Sequence, residues 1–151
     1  NRVGMYARPE ENVDTMVGTG NGEGGVNPDA YNEAVDKEFL AFGRHKASQR
    51  APVFERAVSR GGWSGIYDMT PDGKAILGPA GPEGFYLACG LSGTGFKKAP
   101  AIGLCLTECI TQGRSTTVDI IPFRLSRFAE GQLLRGPHEY GEGEHFWQAK
   151  K

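Results

Sequence analysis

The sequence predicts an α+β fold with a mostly antiparallel sheet and two main helices. Three observations predict it. Short runs with apolar residues at every second position recur along the chain, as half-buried strands require. Glycine-rich and proline-containing turn signals separate them. Two longer stretches instead place their apolar residues at helical spacing.

The elements follow in order. Val3, Met5 and Ala7 alternate with Arg2, Tyr6 and Arg8, and Val13, Thr15 and Val17 repeat the pattern. The turn-like Pro9–Asn12 link makes these two runs a hairpin. Residues 18–26 are Gly-rich and polar, a loop. Asn27-Pro28-Asp29 has the chemistry of a helix start, with an Asn cap, Pro at the first position and Asp at the positive end of the dipole. Tyr31, Ala34, Val35, Phe39 and Phe42 then extend a helix over 28–43, which Arg44, His45 and Lys46 suit at its C-terminal end. Residues 56–68 read as strand, interrupted by Gly61-Gly62 and Gly65. Thr70-Pro71-Asp72-Gly73 is a strong turn signal. Ala75-Ile76-Leu77 is a short strand. Phe85–Cys89 is an apolar run between glycines and reads as a buried strand. Gly90–Gly95 is a glycine loop. Residues 96–112 form a deeply packed helix that Gly113 stops. Val118–Phe123 is a short apolar segment. The whole divides into a domain over 1–130 and a polar tail over 131–151, in which Phe146-Trp147 is a docking anchor.

Composition narrows the function. The 151 residues are 38% hydrophobic with a net charge of -1. That describes a globular chain and leaves no electrostatic footprint for nucleic acid. No apolar run reaches the length of a membrane span, and no secretory leader opens the sequence. The first residue is Asn and the sequence begins directly in a strand-like pattern, so a fragment or processed subunit is expected. Three cysteines are not a disulfide framework. Cys105 and Cys109, four apart on a helix, read as buried small hydrophobes, and Cys89 as core. A cytoplasmic compartment fits.

The chemistry concentrates in Gly90-Leu91-Ser92-Gly93-Thr94-Gly95-Phe96-Lys97. A strand, a glycine loop and a helix in that order put bare backbone N–H groups at a helix N-terminus, a site for groups carrying negative charge. The spacing is not the G-x-G-x-x-G dinucleotide fingerprint. Gly90 and Gly95 match the glycines of a Walker A loop, but Phe96 stands where its lysine belongs and the magnesium-binding hydroxyl is missing. A purely structural turn before a core helix is the alternative.

The run Thr70-Pro71-Asp72-Gly73-Lys74-Ala75-Ile76-Leu77-Gly78, followed by Gly84 through Gly103, resembles the C-terminal part of the D-amino-acid oxidase superfamily. Its closest branches are sarcosine oxidase, dimethylglycine dehydrogenase and glycine oxidase. The resemblance is strongest over 63–128 and weaker at Tyr6–Glu10 and 28–54. It implies the substrate domain, and the strand-loop-helix that returns to cover the flavin, of an FAD-dependent enzyme. That enzyme oxidises the C–N bond of a small amine or N-methyl amino acid, sarcosine-like, to an imine. The implied cofactor contacts are Gly90, Ser92, Gly93, Thr94, Gly95 and Phe96. On that resemblance, the N–H groups of Gly93 to Phe96 and the helix dipole would stabilise negative charge on the flavin ring. The resemblance also implies that Lys97 binds the substrate carboxylate. Where covalent sarcosine oxidases carry the flavin-linked Cys, this sequence has Gly65, so FAD is expected to be noncovalent. The implied partners are a small amino-acid or amine substrate and an N-terminal dinucleotide-binding half, on the same chain or a partner subunit; association of copies is left open. The competing reading is a non-catalytic binding or assembly module without its own flavin site.

Other candidates rest on residue type alone. Tyr67 and Trp63 fit either a substrate pocket or the core. Tyr6 and Arg8 face a substrate or a neighbouring strand. His138 and His145, near Glu139, Glu142 and Glu144, lie in a polar tail without the fixed geometry a metal needs, so no metal is assigned. Arg124 and Arg127 are expected to serve packing or interdomain ion pairs.

Overall fold

A computed structural model describes residues 5–19 and 26–135. They belong to two compact units, one ending at Ile66 and the other beginning at Tyr67. The tail candidates His138, His145, Glu139, Glu142, Glu144, Phe146 and Trp147 lie outside the described residues.

The first unit opens with the expected hairpin. β1 (Met5–Pro9) pairs antiparallel with β2 (Thr15–Thr19), with Tyr6 opposite Gly18 and Ala7 opposite Val17. A single 3-10 turn, Glu11–Val13, closes it. The Tyr6 ring lies across Gly18, where a Cβ would sit 2.0 Å from it.

The first helix is displaced from the sequence expectation. α1 runs Lys37–Ser48, behind an N-cap position at Asp36, and does not start at Pro28. The polar residues that suggested a start make local turns instead. Asn27 Oδ1 accepts the Asp29 N–H at 3.0 Å, and Asn32 Oδ1 accepts the Ala34 N–H at 3.0 Å. Side chains that satisfy nearby backbone donors in this way compete with helix formation. Ala34 then bridges to Trp63. The expected strand over 56–68 is otherwise absent among the described residues. That segment is exposed, with Trp63 at 75%, so no apolar face holds it flat. Trp63 and Tyr67 are therefore both outside the core.

In the second unit, β3 (Ile76–Pro79) pairs antiparallel with β4 (Tyr86–Cys89), Leu77 opposite Ala88. α2 (Gly95–Gln112) follows. Gly113 ends α2 in the left-handed conformation, φ 77°, and its N–H returns to Cys109 O. Leu77, Cys105, Cys109 and Ile120 form the core, with Ala75, Tyr86, Ile102, Leu106 and Phe123 packed on it. Two expectations change here. β4 is half-exposed and not buried, and Cys89 is exposed. α2 buries only one stripe, leaving Phe96, Leu104 and Ile110 exposed. A two-stranded sheet offers too little surface to cover both faces of β4 and the full width of an 18-residue helix.

Candidate functional site

The site is built on the Thr70–Gly73 turn. Thr70 Oγ1 accepts the Lys74 N–H at 2.9 Å and donates to Lys74 O at 2.7 Å. Asp72 Oδ1 also accepts the Lys74 N–H, at 3.1 Å. The turn is thus closed by its own side chains, as Asp and Thr in such turns do.

The turn holds the glycine loop. The Thr70 N–H donates to Ser92 Oγ at 3.2 Å, and the Ser92 hydroxyl donates to Gly90 O at 3.1 Å. Gly90 has φ 61°, and a Cβ there would meet Thr70 Cγ2 at 2.3 Å, so both backbone sign and space call for glycine. Gly93 has φ 73°, and its open face is covered by the Tyr67 ring, 3.1 Å from where a Cβ would sit. The two motifs that the sequence sets twenty residues apart are one hydrogen-bonded body.

At the end of the loop, α2 begins without a side-chain cap. Thr94 holds the N-cap position, but its hydroxyl donates to Leu91 O at 2.8 Å and accepts from Lys98 Nζ at 3.0 Å. The N–H groups of the first turn therefore keep their hydrogen-bonding capacity, and the helix dipole places partial positive charge there. Phe96 is fully exposed and Lys97 is exposed on the surface of the unit. The two adjacent lysines differ: Lys98 donates to Thr94, whereas Lys97 is exposed in the first turn of α2.

The predicted residues Tyr67, Gly90, Ser92, Gly93, Thr94, Gly95, Phe96 and Lys97 thus share one end of the second unit. Ser92 is a buried member of the loop scaffold, at 1% exposure. Tyr6 belongs to the first unit and is half-exposed. Arg8 donates to Glu10 on its own hairpin.

Sequence reasoning missed Asp68. Its carboxylate accepts the Leu91 N–H at 2.9 Å and the Ser92 N–H at 3.2 Å. The partners lie 23 and 24 positions away, so no local pattern exposes the link. Arg127 also has a more specific place than expected. It pairs with Asp72 inside the second unit and is wholly buried. Arg124 pairs with Glu130, which raises the arginine and lowers the carboxyl from their usual values through the hydrogen bond they share.

Comparison with known proteins identifies the family and the fold. The family profile described as DAO, FAD dependent oxidoreductase, matches residues 1–109. The chain is 34% identical over 132 residues to FAD-dependent oxidoreductase domain-containing protein 1 of Bos taurus, covering 85% of this chain and 27% of that protein. It is 35% identical over 132 residues to N-methyl-L-tryptophan oxidase of Salmonella heidelberg, covering 83% of this chain and 34% of that protein. Its fold matches L-proline dehydrogenase from P. horikoshii with a TM-score of 0.72 at 27% identity, over 86% of this chain and 34% of that one. The chain spans only about a quarter to a third of the length of these relatives. Among the described residues no helix is long and apolar enough to cross a membrane. By sequence and by fold, the chain belongs to the DAO family of FAD-dependent oxidoreductases.

Proposed function

We propose that the protein carrying this chain oxidises the C–N bond of a small amine or N-methyl amino acid to an imine, with noncovalent FAD. The observation that carries the reading is the uncapped N-terminus of α2 beside a glycine loop whose backbone is locked open. Such a terminus suits a group on which negative charge develops. The residues present fit that role. Gly93, Gly95 and Phe96 offer backbone N–H groups, Gly90 and Ser92 fix the loop, and Thr94 closes it without occupying the first turn. Bound FAD would supply a two-electron acceptor for the hydride equivalent leaving the substrate.

The chain's own residues then divide the remaining work. The Lys97 ammonium pairs with the substrate carboxylate and so orients the amine. The Tyr67 ring, lying against Gly93 and 65% exposed, forms an apolar wall next to the loop. The carbon beside nitrogen would give its hydride to bound FAD and the N–H proton would pass to solvent, leaving the C=N bond of the imine. The names of the relatives support the substrate class, since one acts on an N-methyl amino acid and another on a cyclic secondary amino acid. The rest of the cofactor site belongs to sequence beyond this segment, on one chain or a partner subunit.

The test is spectral. The purified full-length protein should be yellow and should bleach anaerobically with sarcosine or N-methyl-L-tryptophan. Retained flavin that no secondary amino acid bleaches would overturn the substrate class; absence of flavin would overturn the reading altogether.

A further inference from the structure

One residue in the glycine loop is not glycine yet takes a glycine conformation. Ser92 has φ 50° and is 1% exposed. A residue with a Cβ is strained in that region, because the Cβ crowds the following carbonyl oxygen. Something must hold it there, and Asp68 is placed to do so. One carboxylate oxygen takes the Leu91 N–H at 2.9 Å and the other takes the Ser92 N–H at 3.2 Å. We propose that Asp68 is the positioning residue of this loop: by binding two successive backbone N–H groups it sets the direction in which the Gly93–Phe96 N–H groups face the cofactor. The proposal rests on the flavin-facing reading above.

Three observations support it. Hydrogen bonds from backbone N–H to an ionised carboxylate are about twice as strong as neutral ones, so this pair can offset the strain at Ser92. Asp68 directly follows Tyr67, whose ring covers Gly93, so a single anchor fixes both the loop and the aromatic wall beside it. Thr70 also reaches the loop, but only through the Ser92 hydroxyl, and leaves the Leu91 N–H to Asp68. Asp68 itself is exposed, so replacing it opens no void in the core.

The experiment compares full-length wild type with Asp68→Asn and Asp68→Ala. Asn keeps one acceptor for the two N–H groups, and Ala keeps none. Apo-protein is titrated with FAD, and the dissociation constant, the visible spectrum of the bound flavin and the melting temperature of the apo-protein are recorded. The affinity should fall in the order wild type, Asn, Ala, by about tenfold for each hydrogen bond lost. The flavin absorption band should shift, while the apo-protein melts close to wild type. In the apo-protein, amide exchange at Leu91 and Ser92 should accelerate in Asp68→Ala. Wild-type FAD affinity and spectrum in Asp68→Ala would overturn the positioning role and leave the flavoprotein reading intact. So would a loss of melting temperature with unchanged FAD affinity. If wild type binds no FAD, the flavoprotein reading fails, and this proposal falls with it. Should Asp68→Ala not fold, Asp68→Asn carries the comparison.

Discussion

Asp72 and Arg127, 55 positions apart, form a two-pronged ion pair with side-chain exposures of 2% and 0%. Nε donates to Oδ2 at 2.8 Å and Nη2 to Oδ1 at 2.9 Å. The remaining guanidinium protons are also used: Nη1 donates to Phe123 O and Arg124 O, and Nη2 to Lys74 O. The guanidinium stacks on the Phe128 ring, 4.1 Å from its centre. Burial alone would raise the Asp72 carboxyl. The Arg127 fork and the N–H groups of Leu134 and Lys74 outweigh it and hold the carboxyl far below its usual range. The pair ties the Thr70–Gly73 turn, which supports the glycine loop, to the 3-10 turn Leu125–Arg127.

Removing one partner of such a pair strands the other as a buried charge. Arg127→Met should therefore cost about 3–5 kcal/mol of unfolding free energy. Urea denaturation of wild type and variant measures it. Asp72→Asn combined with Arg127→Met should lose clearly less than the sum of the two single changes, since the second removes a charge already unpaired.

Acid should destabilise the second unit through Glu108 as well. The Thr117 hydroxyl and N–H, the Thr116 N–H and the Ser115 hydroxyl all donate to this carboxylate, and they lower it from 4.5 to about 2. The unfolded chain then binds the proton more readily than the folded one. Stability from this group is full above pH 4.5 and is lost as pH falls toward about 2. Melting curves across that interval should show a shallower acid decline in Glu108→Gln than in wild type.

Glycine position decides the sign of two similar substitutions. Gly90→Ala puts a Cβ 2.3 Å from Thr70 Cγ2 at φ 61°, and should cost about 1–3 kcal/mol. Gly103→Ala lies inside α2 with nothing within 4 Å of the new Cβ. In this chain it should gain roughly 0.5–1 kcal/mol from helix propensity alone. Thermal melts of the two variants should move in opposite directions.

Lys97→Met tests the carboxylate contact. Losing a charge-assisted bond of about 1.5–3 kcal/mol corresponds to a rise in KM of about 10- to 100-fold for a carboxylate-bearing substrate. Flavin content should stay at the wild-type level. Steady-state kinetics with an amino acid and with the corresponding amine lacking the carboxylate separate the two effects, and an equal loss on both would reject the role.

Much of the loop was legible. Gly90, Gly93, Gly95 and Gly113 mark backbone positions that side chains would strain or crowd, and that requirement is local, so it shows in the residue type. The hairpin of β1 and β2 was legible for the same reason, since period-two alternation and a short link act over neighbouring residues. Asn27-Pro28-Asp29 closes a turn and does not start the helix, because the same residue types cap helices and close turns. Which they do depends on what packs behind them, and here Ala34 is drawn into a bridge with Trp63.

The sequence by itself determined the turn, the loop and the helix that make the candidate site, along with the family to which they belong. Their chemistry is short-range: glycine at positive φ, Thr and Asp closing a tight turn, a helix stopped by Gly113. Only the tertiary structure decided that Asp68 anchors the loop, that Arg127 locks the turn, and that Cys89 and one face of α2 stay exposed. Those outcomes depend on groups brought together from 23 to 55 positions apart, where hydrogen bonds and burial are set by the fold and leave no periodic trace in the sequence.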